Sequence, residues 1–317
     1  MESDNDLEQY SCPFGCPEND DLILIGKDRI HGLPGQFKVV RCRTCGLMRT
    51  NPRPTSESMG YYYPDDYGPY ISTQIEELQV GRNAGDSLRR RLKNLFNFKN
   101  ITMPAIQPGR LLEIGCASGS YLHQMANDGW QVYGIEFSQT AAETARSFGY
   151  AVHAGSIASA PPPKDPFDLI VGWMVLEHLH HPLQDLQRLH EWARPGASLL
   201  LSVPNLGSWH LKFFKERWYS LHLPNHLFHF TPMTVRELLH KSGWKVDSIS
   251  FHREISDVIV TLGYVLNDSG FVRMGNWLIN YPKHAGKWPY LLYPVASLLA
   301  RFGKTGNMTI SAQRVTL

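Results

Sequence analysis

The sequence predicts an α/β fold: a parallel sheet with helices on both faces, joined to a small cysteine-bearing N-terminal module and an apolar, helical C-terminal insert. Three observations predict it. From Arg110 onward, apolar runs of strand length alternate with amphipathic stretches of helix length, the pattern of strands linked by crossover helices. A glycine-rich turn, Gly115-Cys116-Ala117-Ser118-Gly119, lies between the first strand and the first helix. An acidic residue, Glu136, closes the second strand.

The elements follow in order. Leu111 to Ile114 is a strand, and Ser120 to Asp128 is a helix ended by Gly129. Gln131 to Ile135 is the second strand, Thr140 to Phe148 a helix ended by Gly149, and Tyr150 to His153 a short third strand. After the Pro161-Pro162-Pro163 loop come the fourth strand (Phe167 to Gly172), a helix (Pro182 to Ala193) and the fifth strand (Ser198 to Val203). Asn205 to Phe230 is rich in Trp, Phe and His. Thr231 caps a helix that reaches Lys241 and stops before Gly243. Trp244 to Phe251 is a sixth strand, residues 257–305 are apolar with helical spacing, and Met308 to Val315 is the last strand. Upstream, Asp21 to Gly26 and Gln36 to Arg41 are strand-like. Asn51 to Tyr70 is a Pro- and Tyr-rich linker, and residues 73–99 have helical periodicity through Ile75, Leu78, Leu88, Leu92 and Leu95.

Composition narrows the function classes. The 317 residues are 43% hydrophobic and 19% charged; the net charge of +2 is too small to argue for an anionic membrane and disfavours a nucleic-acid partner. The acidic start lacks the positive, then apolar, order of a signal peptide, and no run approaches the ~18 apolar residues of a membrane span. The expected location is cytoplasmic. Arg89, Arg90 and Arg91 read as a solvated helix face. His180, His181 and His190 read as surface residues.

Four of the five cysteines form two close pairs, Cys12/Cys16 and Cys42/Cys45, with Gly46 directly after the second. In a reducing compartment such pairs point to metal rather than disulfides. Four thiolates suit a closed structural zinc site with no open catalytic position, and a segment of ~40 residues needs such help to fold. Unmetallated thiols are the alternative. Cys116, in the glycine turn, reads as a packed small residue rather than a nucleophile.

The turn presents backbone amides and a helix N-terminus to a ligand, and a carboxylate at Glu136 can accept both ribose hydroxyls of an adenosine. A dinucleotide fingerprint would need glycine where Ala117 and Ser120 stand. Leu111-Leu112-Glu113-Ile114-Gly115-Cys116-Ala117-Ser118-Gly119 instead resembles motif I of class I S-adenosylmethionine-dependent methyltransferases. Gly134 to Ser138, Phe167 to Val171 with Val175-Leu176-Glu177-His178, and Gly196 to Asn205 are similar to that family's later motifs, in order.

The resemblance implies a Rossmann-like seven-stranded sheet and S-adenosylmethionine as cofactor. Gly115 to Gly119, including Cys116 and Ala117, would hold the methionine moiety, with Glu113 orienting its amino group. Glu136 would bind the ribose, with Phe137 beside the adenine and Ser138 following. Where the family commonly has an adenine-binding Asp, this chain has Ser156 and Ile157. Tyr121, Trp173 and Met174 complete the implied cofactor site. The cysteine knuckle, Asn51-Pro52-Arg53-Pro54, Tyr62 to Tyr67 and His226 to Pro232 resemble a bacterial group of these enzymes with N-terminal zinc ribbons, often acting on carbohydrates or secondary metabolites. The chain divides as a zinc-ribbon-like module (1–52), a linker and helical lid (53–104), a cofactor-binding core (105–256) with a cap loop (205–230), and a helical substrate cap with the final strand (257–317).

For the chemistry, His178 follows the fourth strand, where an acceptor lies outside the strand ends. It is the first candidate general base, with Glu177 second and His226 and His222 offered by the cap loop; helix capping and loop hydrogen bonds are the alternatives. Tyr62, Tyr63 and Tyr67 either close over the cofactor or dock the linker. The expected reaction is O-methylation of a small-molecule acceptor. C-methylation stays open, as does a non-catalytic zinc-ribbon protein on the same fold. Base N-methylation is disfavoured, because Gly172-Trp173-Met174-Val175 stands where an N-P-P-Y motif belongs. The apolar insert covers the acceptor or contacts a partner or membrane surface. Oligomeric state is left open.

Overall fold

The computed structural model describes residues 6–63, 98, 100, 103–281, 285 and 288–315. The N-terminal strands are β1 (Leu7–Glu8), β2 (Asp20–Gly26), β3 (Phe37–Cys42), β4 (Met48–Thr50) and β5 (Arg53–Pro54). The central strands are β6 (Arg110–Ile114), β7 (Gln131–Glu136), β8 (Ala151–Ala154), β9 (Phe167–Trp173) and β10 (Ala193–Pro204). A short β11 (Phe228–His229) and the later β12 (Trp244–Phe251) and β13 (Asn307–Arg314) complete the set. Among the described residues a seven-stranded sheet runs in the order β12-β13-β10-β9-β6-β7-β8.

Alternating residues of the central strands feed two cores, as the period of a strand requires. Leu112, Ile114, Ile170, Leu199 and Leu201 face one side. There they pack with Leu186 and Leu189 of α3 (Pro182–Trp192) and Leu238 of α5 (Pro232–Lys241). Leu111, Leu169, Val171 and Leu200 face the other side, with Leu122 of α1 (Ser120–Asn127) and Ala142 and Ala145 of α2 (Gln139–Ser147). Helices thus cover both faces, and the central strands are apolar without alternation because both sides are buried. Thr231 caps α5 through the predicted contact, its hydroxyl accepting from the Thr234 amide at 3.2 Å.

The sheet is mixed, which corrects the expectation of a parallel one. β13 pairs antiparallel with both β10 and β12. The register gives the reason: Phe251, the last residue of β12, lies opposite Met308 near the start of β13. The intervening chain leaves and returns at the same carboxyl edge, so the final strand must run back. That chain carries α6 (Ser256–Asp268), α7 (Val272–Ile279) and α8 (Trp288–Arg301), after the short α4 (His210–Phe214) earlier in the cap loop. No helix of the described residues is long and apolar enough to cross a membrane.

The cysteine-bearing segment does not keep its sheet to itself. β2, β3 and β4 continue into β11, which comes from the cap loop, in the order β11-β4-β3-β2. Arg53 fastens the same junction. Its side chain, 1% exposed, pairs with Glu8 at 2.7 Å and donates to the His180 carbonyl at 2.9 Å. Its guanidinium lies 3.5 Å from the Tyr10 ring centroid. His180 is therefore half-buried rather than a surface residue, and its Nε2 meets the Pro54 carbonyl at 3.2 Å. His190 is also half-buried, edge-on to Trp244; His181 is exposed as expected. Residues 64–97, with Tyr67, the Arg89–Arg91 cluster and most of the expected linker helix, lie outside the described residues.

Arg53→Ala removes a desolvated cation–π contact and two charged hydrogen bonds, so it should lower stability by about 3 kcal/mol. An unchanged urea-unfolding midpoint would contradict this account of the junction.

Candidate active site

The turn after β6 is shaped by residues with positive φ, Gly115 (φ 66°), Ala117 (φ 45°) and Gly119 (φ 87°). A Cβ on Gly115 would stand 3.0 Å from Val175. The turn is clasped by Glu136 at the end of β7: its Oε2 accepts from the Ala117 amide and its Oε1 from the Ser138 amide, both at 2.8 Å. Burial raises the Glu136 pKa, against the opposing effect of the Ser138, Ala117 and Phe137 amides. Ser138 then caps α2 by accepting from the Ala141 amide. Behind the turn, Cys116 is 3% exposed; burial first, then Glu113 and Glu136, pushes its thiol pKa up. It packs over Gly134, where a Cβ would come within 2.5 Å of its Sγ.

A cavity of about 810 Å³ opens in front of this turn. Gly115, Ala117, Glu136, Phe137, Ser156, Ile157, Trp173 and Met174 line it. His178, His222 and His226 line it too, beside Tyr63 and His31, as do Asp257 and Val260 of α6. Of the remaining cofactor candidates, Glu113, Cys116, Gly119, Tyr121 and Ser138 are not on the cavity wall. Glu113 and Cys116 are buried beneath the turn, and Tyr121 stands edge-on to Trp173 with its hydroxyl 3.7 Å from Met103 Sδ. Ser156 is exposed and shares hydrogen bonds with Ser159.

The three histidines, far apart in sequence, stack edge to face. Ring centroids are 4.6 Å apart for His178 and His226 and 4.9 Å for His222 and His226. His178 Nδ1 lies 3.0 Å from the Asn225 carbonyl and 2.7 Å from the Tyr63 hydroxyl. His226 Nδ1 lies 2.9 Å from the Ser220 carbonyl. A carbonyl can only accept, so Nδ1–H faces it in both rings, shared at His178 with the Tyr63 hydroxyl oxygen, and Nε2 is the basic nitrogen of that tautomer. The segment is pinned from both sides: the Leu227 amide donates to the Glu177 carbonyl at 2.8 Å, and Thr50 Oγ1 donates to the His226 carbonyl at 2.7 Å. Burial lowers His178 to about 4, opposed by the Asn225 carbonyl, and raises the enclosed Glu177 to about 8. His222 and His226 are lowered well below their usual value by burial and then by their neighbouring imidazoles.

Several wall residues escaped the sequence reading. Ile30 and His31 reach the cavity from the cysteine-bearing segment, on a turn in which the Asp28 carboxylate accepts from the amides of Ile30, His31 and Leu33 at 2.9, 3.0 and 3.1 Å. An Asp followed by closely spaced amides was the available signal for that turn, but nothing local aimed it at the cavity. Asp257, 5% exposed, accepts from Trp218 Nε1 at 3.2 Å. Of the lid candidates, Tyr63 borders both Phe137 and His178, whereas Tyr62 is buried against Phe37.

The sulfurs of Cys12, Cys16, Cys42 and Cys45 all lie within 4.8 Å of one another. The backbone forms a knuckle at each pair, Gly15 N–H donating to the Cys12 carbonyl and Gly46 N–H to that of Cys42. Burial raises the Cys42 thiol, but hydrogen bonds from the Cys45 and Thr44 amides outweigh it and bring it to about 7.

A mixed seven-stranded sheet with a glycine turn and a strand-end acid defines a Rossmann-like methyltransferase fold. Residues 82–249, more than half of the chain, match the methyltransferase-domain family model, and the chain belongs to that family, among the class I S-adenosylmethionine-dependent methyltransferases. It is 28% identical over 139 residues to a probable S-adenosylmethionine-dependent methyltransferase of Mycolicibacterium smegmatis, covering 43% of this chain and 52% of the relative. The chain thus spans about half the length of that relative. It is 26% identical over 179 residues to a ubiquinone biosynthesis O-methyltransferase of Ruegeria pomeroyi, covering 49% of this chain and 71% of the relative. Among solved structures, the cyclase SpnF superposes with a TM-score of 0.50 at 19% identity, over 84% of this chain and 98% of that one, a likeness of fold alone.

Gly134→Ala forces a methyl group against Cys116 and should destabilise the protein by about 1–3 kcal/mol. Cys116→Gly in the same chain should recover part of the loss. Additive effects in a double-mutant cycle would refute this packing of the turn.

Proposed function

We propose that the protein transfers the methyl group of S-adenosylmethionine to a hydroxyl oxygen of a small molecule. S-adenosylmethionine, when bound, supplies a methyl group on a positively charged sulfur. Gly115 and Ala117 border the place for its methionine part. Each Glu136 oxygen spends one lone pair on an amide and keeps another for a ribose hydroxyl. Phe137, 55% exposed on the cavity wall, offers a face to a planar base beside Ser156 and Ile157. Glu113, Cys116, Gly119, Tyr121 and Ser138 support the turn and its surroundings, and Trp173 and Met174 line the cavity beside it.

The observation that carries the reading is that Glu136 and His178 line one and the same cavity, with the His178 Nδ1 turned to the Asn225 carbonyl and the Tyr63 hydroxyl. That leaves a basic Nε2 to take the acceptor's proton, with His226 and Glu177 against it. Burial lowers the proton affinity of the imidazoles, so His178 is neutral and able to accept at neutral pH. The name of the Ruegeria relative, an O-methyltransferase, supports oxygen as the atom methylated. The apolar insert 257–305 then serves as a substrate cap, through Asp257 and Val260.

We also propose that Cys12, Cys16, Cys42 and Cys45 hold one structural zinc ion. A tetrahedron with Zn–S bonds of ~2.3 Å has sulfurs about 3.8 Å apart, which this cluster accommodates. The ion would fix the segment that brings Ile30 and His31 to the acceptor, making residues 1–52 part of the active site.

His178→Ala should keep its affinity for S-adenosylmethionine and lose at least ~100-fold in methyl transfer to a panel of hydroxylated acceptors. Carbon NMR of labelled product should show the methyl on oxygen; a carbon-bound methyl, or full activity in the variant, refutes the reading. Metal analysis should find one equivalent of zinc that Cys42→Ala and Cys45→Ala lose. Equal zinc in those variants and the wild type would remove the structural ion.

A further inference from the structure

Behind the acceptor wall, Glu177 is 0% exposed, and among the described residues neither of its carboxylate oxygens has a hydrogen-bond partner. A carboxylate is expensive to bury without a partner. His226 Nε2 lies 3.9 Å from its Oε1, too far for a hydrogen bond. One ligand atom each from Glu177, His178 and His226 fall within 4.8 Å of one another.

The imidazoles are set up for the same task. Each spends Nδ1 on a backbone carbonyl, Asn225 for His178 and Ser220 for His226. Metal-binding histidines are commonly oriented in this way, the outer nitrogen donating to a carbonyl while the other keeps its lone pair. His178 and His226 also line the cavity, so an ion held there would face it.

We propose that Glu177, His178 and His226 bind one divalent transition-metal cation whose remaining coordination positions open toward the acceptor. Two imidazoles and a carboxylate suit zinc, iron(II) or manganese(II) rather than magnesium or calcium. The proposal rests on the methyl-transfer reading for its purpose and replaces the His178 base of that reading with activation of the acceptor hydroxyl by the ion. Positive charge at this point lowers the proton affinity of a hydroxyl beside it. His178 then serves as a ligand, and the hydroxyl proton leaves to cavity water.

The test is a cobalt(II) titration of protein brought to a single zinc equivalent per chain, enough for the four cysteines alone, followed by visible absorption. One further equivalent should bind and give ligand-field bands without the strong thiolate-to-cobalt charge-transfer absorption that entry into the cysteine cluster would produce. Glu177→Gln, which keeps the shape of the buried side chain, and His226→Ala should each weaken that binding at least about tenfold. No added equivalent in the wild type, or one that survives both substitutions, overturns the proposal. If His178→Ala abolishes methyl transfer while cobalt does not bind, the metal is excluded and the imidazole base stands. If cobalt binds as described but no methyl transfer from S-adenosylmethionine occurs, the site stands and the functional reading fails.

Discussion

The arrangement of the whole site depends on one carboxylate. Glu136, 4% exposed, is held at the end of β7 by two backbone amides, one from the turn after β6 and one from the start of α2. A buried carboxylate is tolerable only when its oxygens are satisfied. The contact therefore fixes the turn relative to the neighbouring strand as firmly as the sheet itself. It also explains the small residues around it. Gly115 passes close to Val175, and Gly134 leaves room for Cys116. A larger side chain at either position would pull the turn off the acid and spoil the mouth of the cavity.

The histidine-bearing wall of the cavity is built on a different principle. It is assembled from three stretches that are remote in sequence: the Asp28 turn with His31, the segment after β9 with His178, and the cap loop with His222 and His226. What joins them is sheet pairing and capture of backbone groups. β11 extends the N-terminal sheet, Thr50 holds the His226 carbonyl, and the Leu227 amide holds that of Glu177. The cysteine-bearing segment thus contributes Ile30 and His31 to the cavity wall. The return of the chain to the carboxyl edge after β12 adds α6, which brings Asp257 and Val260 to the same cavity.

Much of the core was legible in the sequence because its signals are local. The strand–helix alternation, the Thr231 cap and the glycine turn each depend on residues within one turn or strand of one another. Glu136 was legible for the same reason, as an acid closing a strand. The acceptor wall was only partly so. His178 and His226 could be chosen as reactive types in suitable places, but their edge-to-face packing is a long-range contact with no periodicity to reveal it. The pairing of β11 with β4 is equally remote, and it turns an apparently separate ribbon into a shared sheet. The antiparallel β13 was missed because an apolar strand looks the same in either direction. Likewise, Glu113, Cys116, Tyr121 and Ser138 lie close to the turn in sequence or by sheet pairing, yet they stand off the cavity wall.

The most direct test of the Glu136-centred site is calorimetric titration of S-adenosylhomocysteine into wild-type protein and Glu136→Gln. One ligand per chain should bind the wild type. The substitution should weaken it at least about tenfold, as loss of a charged hydrogen bond to a ribose hydroxyl requires. The absence of saturable heat in the wild type, or equal affinity in the two proteins, would contradict the account.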